Sequence, residues 1–193
     1  MDQLLADTQK FPEGVTRRLA KHIFLDVVEF SKRKAEAQSD IVMSLNQIVR
    51  AVLEKHQINQ DDDCILIPTG DGMCLAVLRE TLPYHSHLRI AIDILGAISE
   101  HNECEMREAR RFDIRIGLNQ NQDIIVTDIN GHKNIAGAGI NLAARIMDKA
   151  DGGQILVSEA VYLELEPSPN FSTMLHQQSS KHGNSEVGKD FEP

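Results

Sequence analysis

The sequence predicts an α+β fold: a mainly antiparallel sheet with its helices on one face, built around a ferredoxin-like βαββαβ core. Three observations predict it. Apolar residues alternate between strand-like and helical spacing in the order β-α-β-β-α-β-β-α-β. Short polar or Gly-rich joins separate two pairs of strands, which makes the members of each pair antiparallel neighbours. Finally, 193 residues, 41% hydrophobic and 25% charged, suit one domain with a proper core and some extra chain rather than two domains. Aromatic residues make up only 4% and Trp is absent, so that core must be built from Ile, Leu, Val, Met and Ala.

Residues 22–28 form a short apolar run rich in Phe, Ile and Val, read as a buried strand. Over 36–56, Ile41, Leu45, Ile48, Val49, Val52 and Leu53 recur at helical spacing, an amphipathic helix. The acidic run 61–63 reads as a solvated turn. Strands follow at 64–67 and 73–78, joined by Pro68-Thr69-Gly70-Asp71-Gly72, whose Pro and Gly residues mark a hairpin. Leu88, Ile92, Leu95 and Ile98 place a second helix over about 84–102. Residues 112–118 and 124–129 alternate as strands around an expected polar turn at 119–123. A third helix, about 139–149, stops at Asp151-Gly152-Gly153, a Gly-rich end. A last buried strand at 154–158 and a short helix near 159–165 precede a Ser-, Gln- and His-rich loop or tail beyond Pro167. The domain proper is expected to span 18–187, between an N-terminal extension, 1–17, and a tail, 188–193.

A formal net charge of −9 argues against nucleic acid or an anionic membrane as partner, though not against a small anion held by local cations or a metal. Three cysteines (Cys64, Cys74 and Cys104) without C-x-x-C spacing indicate reduced, buried thiols rather than a disulfide framework or a zinc site. The start of the chain is polar and no apolar run reaches the length of a membrane span, so a cytoplasmic protein is expected. The eight histidines form no metal-binding spacing and are expected at the surface or in loops.

Two constellations carry chemistry. Asp26 lies inside an apolar strand, where an unpartnered carboxylate is costly, and Asp71 sits at the tip of the Gly-flanked hairpin. In a βαββαβ sheet the first strand lies between the other core strands, so its end meets that hairpin. Two carboxylates there repel unless a divalent cation joins them, and oxygen ligation suits Mg²⁺ or Mn²⁺. The alternative is a plain turn residue and a plain strand end. Asn141 and Arg145, four apart, share one face of a helix that follows Gly137-Ala138-Gly139. A helix start favours anions and a guanidinium suits phosphoryl groups; the alternative is an ordinary solvated face. The dinucleotide fingerprint suggested by Gly137-x-Gly139 is incomplete: its third small position is Leu142, and 130–136 reads as a polar turn rather than a strand.

In order, these segments resemble the class III nucleotidyl cyclase domain over roughly 22–183. Phe24-Leu25-Asp26-Val27-Val28-Glu29-Phe30-Ser31 resembles the family's F-x-D-I-x-G-F-[ST], and Thr69-Gly70-Asp71-Gly72-Met73 its G-D hairpin. Arg115-Ile116-Gly117-Leu118 is similar to R-[IV]-G-[IL], and the segment from Gly137 to Ile146 to G-x-x-V-N-x-A-[AS]-R-[LM]. Gly153-Gln154-Ile155-Leu156-Val157-Ser158 is similar to G-x-I-x-[IV]-S. The resemblance implies two divalent ions, Mn²⁺ or Mg²⁺, on Asp26, Asp71 and the Val27 carbonyl, with Asn141 and Arg145 acting on ribose and α-phosphate. It implies nucleotide contacts at Phe30, Ser31, Ile67, Thr69, Gly70 and Asn134, and loosely a phosphate contact at Lys181. It also implies a head-to-tail homodimer whose sites each draw on both chains.

The departures are informative. The purine-reading Lys or Glu, four residues before the second metal aspartate, is Ile67; the second reading position, seven before the Asn, is Asn134. Ile67 cannot hydrogen-bond a base edge. Glu29 replaces a glycine, and the glycine expected after the R-I-G strand is missing from Asn119-Gln120-Asn121. This combination resembles most the Pycsar-type pyrimidine cyclases of bacterial antiphage defence. The function expected is conversion of UTP or CTP to its 3′,5′-cyclic monophosphate, read by a separate cyclic-nucleotide-responsive effector. The alternatives are a purine cyclase with an unusual base pocket, or a silent cyclase-like module that binds nucleotide or only dimerises.

Overall fold

The computed structural model describes residues 16–60, 62–165, 175–177 and 189–191. Lys181, Gly183, residues 1–15 of the expected N-terminal extension and residues 188, 192 and 193 of the expected tail lie outside the described residues, and Thr16 and Arg17 of that extension belong to β1. The element order is β1 (Thr16–Val27), α1 (Ala35–Lys55), β2 (Cys64–Pro68), β3 (Gly72–Val77), α2 (Ser86–Cys104), β4 (Ile114–Thr127), β5 (Lys133–Ala136), α3 (Ala138–Met147), β6 (Ile155–Val157), α4 (Glu159–Leu165), β7 (Leu175–Gln177) and β8 (Lys189–Phe191). The eight described strands form one sheet in the order β2-β3-β1-β4-β6-β8-β7, with β5 paired to β4. Every pairing is antiparallel except β4 with β6.

This is the expected α+β class. β1 alternates as a central strand must: Ile23, Leu25 and Val27 point into the main core, while His22 and Asp26 fall on the other face. The main core takes Ile41, Leu45, Val49 and Leu53 from α1, Leu88, Ile94 and Ile98 from α2, and Val161 and Leu165 from α4. α3 departs from the expected one-sided arrangement. Its Ile146 packs with Ala150 and Leu156, and Ile140 joins Ala20, Ala76 and Ile135, on the opposite face of the sheet. Gly117 makes the close approach possible, since a Cβ there would lie 2.4 Å from both Ala143 O and Met147 N.

Two expectations are corrected at β4 and β5. Residues 119–123 are no turn: β4 is one strand, pairing with β1 from Thr16↔Ile125 to Val27↔Ile114. Asn119 and Asp123 are buried under α3 with side-chain hydrogen bonds made, so polarity there does not break the strand. Part of the expected polar turn at 130–136 is β5, antiparallel to β4. A dinucleotide βαβ unit requires a parallel crossover instead, so that fingerprint stays rejected. α1 ends at His56 without a glycine. Gln57 takes the left-handed conformation (φ 55°) while its N–H reaches Glu54 O and that of Ile58 reaches Leu53 O, the paired bonds of a Schellman stop.

The histidines also depart from expectation. His22 and His87 are fully buried, and of the cysteines Cys64 and Cys74 are buried but Cys104 is exposed. Burial pushes the His87 imidazole down to about 3, with the nearby Lys21, His22 and His85 acting in the same direction. Unfolded, His87 takes up its proton near 6.5; folded, it does so only near 3. Its contribution to stability is therefore complete above about pH 6.5 and is lost as pH falls through that window. Acidification from pH 7 to pH 5 is expected to cost roughly 2 kcal/mol through this residue. Denaturant melts of wild type and His87→Leu at both pH values check this; equal acid losses in the two would remove the assignment.

Candidate active site

β1, the β2–β3 hairpin and β4 together build the first half of the site. Asp26 is the penultimate residue of β1, opposite Gly72 on one side and Arg115 on the other. Gly72 is obligatory at that crossing, because a Cβ would stand 2.2 Å from Leu25 O. Gly70 takes φ +100° in the turn, a conformation that glycine adopts without strain, and Thr69 N–H closes the turn on Gly72 O at 3.0 Å. Asp71, half-buried, is thus carried beside Asp26, close enough for its charge to act on it. The expected meeting of the two carboxylates is found.

Arg115, which sequence reasoning placed only in a strand motif, is the third charge of this group. Its Nη2 and Nε donate to Asp26 Oδ2 at 2.8 and 3.2 Å, and its Nη1 donates to Asp148 O at 3.2 Å, just past α3. Asp26 is held above the ordinary carboxylate range, first by burial; the Arg115 hydrogen bonds oppose that, and the charges of Asp71 and Asp148 add to it. A carboxylate already disfavoured as an anion beside a second one is a place where added positive charge is stabilising. Beside it opens a cavity of about 320 Å³ lined by Asp26, Val27, Val28, Glu29, Arg115 and Gly152, among others. The alternation of Arg115 with the core residues Ile114 and Ile116 was the available signal: it puts the guanidinium on the face that carries Asp26.

The side chain of Val27 is buried in the core, so only its backbone can serve the site. Phe30 and Ser31 lie in the 3₁₀ turn Phe30–Lys32, Phe30 against the core and Ser31 exposed. Glu29 stands in the left-handed region (φ 56°) and accepts from Lys32 Nζ at 2.6 Å. The family's glycine is replaced here by a residue in a conformation that glycine adopts without strain.

Ile67 on β2 and Asn134 on β5, far apart in sequence, line one cleft of about 860 Å³ with Asn46, Arg50, Pro68 and His132 among its other walls. Ile67 is half-buried against Ala20, Ile65 and Ile135, and Thr69 and Gly70 are exposed at the hairpin. Asn141 and Arg145 are exposed on α3, where Asn141 Nδ2 donates to Gly137 O at 3.1 Å. Asp26 with Asp71, and Ile67 with Asn134, are brought together, and the Asn141–Arg145 pair is exposed on α3. Among the described residues, no helix is long and apolar enough to cross a membrane.

Comparison with known proteins agrees with this fold. The catalytic core of a rhodopsin-guanylyl cyclase with converted specificity, in complex with ATPαS, has 18% sequence identity and a TM-score of 0.69, covering 93% of this chain and 97% of that one. The adenylyl cyclase CyaB from P. aeruginosa has 16% identity and a TM-score of 0.69, covering 92% and 94%. The guanylate cyclase domain of RhGC from Catenaria anguillulae, in complex with GTP, has 19% identity and a TM-score of 0.68, covering 90% and 95%. At such identities these structures establish the fold. No curated protein matches the chain. Residues 20–188 match the family description "Adenylate and Guanylate cyclase catalytic domain". The chain belongs to that family, and its class of enzyme is nucleotide cyclase.

Proposed function

We propose that this cyclase converts a pyrimidine nucleoside triphosphate, UTP or CTP, into its 3′,5′-cyclic monophosphate and pyrophosphate. The observation that carries the reading is the pairing of Ile67 with Asn134 along one cleft. The family's purine code needs a charged side chain at the first position, and Ile67 has no hydrogen-bonding atom to offer. Asn134 carries both a donor and an acceptor and can pair with a pyrimidine edge.

Asp26, Asp71 and the Val27 carbonyl are the groups to hold two Mn²⁺ or Mg²⁺ ions, and the crowding of the two carboxylates fits such a group. Bound there, divalent ions supply Lewis-acid activation of the 3′-hydroxyl and neutralise the triphosphate. Arg115 holds the Asp26 carboxylate through two hydrogen bonds. Phe30, Ser31, Thr69 and Gly70 flank the nucleotide, and Lys181 is assigned to phosphate. Asn141 orients the ribose, and Arg145 stabilises the charge that grows on the α-phosphate, a contribution of roughly 10²–10³ in rate per donor. The resemblance of the motifs to the family supports a site shared across a head-to-tail homodimer. The resemblance of the motifs to Pycsar-type cyclases supports a cytoplasmic synthase of an antiphage signal that a separate effector reads.

The test is incubation of purified protein with each of the four nucleoside triphosphates and Mn²⁺, with cyclic products identified by mass. UTP or CTP is expected to exceed ATP and GTP in kcat/KM. Asn134→Ala should erode that discrimination more than it weakens metal binding, since a hydrogen-bonding group in the cleft is what rejects the wrong analogue. A preference for ATP or GTP in the wild type would defeat the pyrimidine assignment.

A further inference from the structure

α3 carries Asn141 and Arg145, yet its own sequence offers no cap: Gly137 stands at the N-cap, and no side chain there bonds to the helix. The cap comes from β4. Asp123 Oδ1 accepts from Gly139 N–H at 3.2 Å and from Asn121 Nδ2 at 2.7 Å. Its Oδ2 accepts from Ile140 N–H at 3.2 Å and from His22 Nε2 at 2.8 Å. Asn119 Nδ2 adds a bond to Gly139 O at 2.9 Å. Two backbone N–H groups and the Asn121 amide donate to its oxygens, and the start of a helix is where a carboxylate is best placed. Gly137 and Gly139 are what allow the approach, since a Cβ at either would lie 2.2 or 2.3 Å from an Asp123 oxygen.

His22 is fully buried and Asp123 nearly so. Because the carboxylate can only accept, the proton of the imidazole sits on Nε2, and Nδ1 faces Cys74 Sγ at 4.0 Å. Burial lowers the His22 pKa against the pull of Asp123, in keeping with a neutral ring. Sinking a carboxylate and an imidazole under a helix is a costly way to cap it; a Ser or Asp at the N-cap would serve with no buried charge. What the buried pair adds is a fixed distance. His22 and Asp26 lie on the same face of β1, four residues apart, so the strand that presents the Asp26 carboxylate also holds, through Asp123, the first turn of α3.

We propose that His22 and Asp123 are positioning residues that set the first turn of α3 and, through it, Asn141 and Arg145. The proposal rests on the catalytic reading of those two residues. It predicts that Asp123→Asn lowers kcat roughly 10- to 100-fold with KM little changed, measured with the best nucleoside triphosphate and Mn²⁺. His22→Leu should act in the same direction, and His22→Gln, which keeps a donor for Asp123, should restore most of the rate. Adding Asp123→Asn to an Asn141→Ala/Arg145→Ala background should slow it no further, because the carboxylate acts through the helix that carries both side chains. Hydrogen exchange of the amides at 139–142 should quicken in Asp123→Asn while β1 and β4 stay protected.

An Asp123→Asn loss that persists undiminished in the Asn141→Ala/Arg145→Ala background would overturn the positioning role, as would unchanged exchange at 139–142. Full activity in Arg145→Ala would instead overturn the catalytic reading, which the exchange measurement does not need. If Asp123→Asn does not fold, the comparison of His22→Leu with His22→Gln decides, and equal rates in those two would overturn the proposal.

Discussion

Asp26→Ala and Asp71→Ala are each expected to lower turnover by more than about 10³-fold, the largest effect of any single side chain in the molecule. The reason is electrostatic. The two carboxylates share one corner of the sheet, where Asp71 helps to hold Asp26 above its ordinary range, and neither alone provides a site for two divalent ions. The fold should survive. Asp71 lies in an exposed-tip hairpin shaped by Gly70 and Gly72, so its removal relieves a like-charge contact, and the melting temperature of the metal-free protein should not fall. Asp26→Ala unpairs Arg115 from its shortest partner, and Asp26→Asn is the control that keeps an acceptor there. Turnover measured over an Mn²⁺ series, beside a thermal melt, checks both halves. Turnover that persists in either alanine variant, or in excess chelator, would remove the two-carboxylate metal site.

Mixing two dead homodimers is expected to restore activity. If Asp71 of one chain works with Arg145 of the other, Asp71→Ala and Arg145→Ala dimers are each inactive. After random exchange of subunits about half of the dimers are mixed, and each of these has one site with both lesions and one site with neither. Roughly a quarter of the wild-type sites should therefore return. A site built within one chain cannot be rescued in this way, because every subunit carries a lesion. Continued inactivity after subunit exchange has been demonstrated, for example by mass-labelled chains, would place the whole site within a single chain.

Much of this was legible before any coordinates. Ile41, Leu45, Val49 and Leu53 announce α1 because burial on one side of a helix imposes a spacing that only a helix satisfies. Asp26 and Asp71 could be paired because an acid in an apolar strand and an acid in a Gly-flanked turn are both local anomalies, and βαββαβ topology brings them together. Asn141 and Arg145 were readable as one helix face for the same local reason. Strand boundaries were less readable. Residues 119–123 look like a loop by polarity, and α1 stops at a Schellman turn that contains no glycine.

What the sequence determined by itself, then, is whatever neighbouring residues decide among themselves: the periodic elements, the hairpin, the two acids and the helix pair. Tertiary structure alone decided the rest. It set Arg115 on Asp26 from 89 residues away and joined His22 to Asp123 across 101 residues. It buried His87, placed α3 on the far face of the sheet, and turned a polar stretch of β4 into the bed of a helix. The physical reason is the same in each case. A polar side chain in a strand reads as solvent-facing until another element packs over it, and the partner that then satisfies it is chosen by the sheet register and by what crosses above, not by its neighbours in the chain.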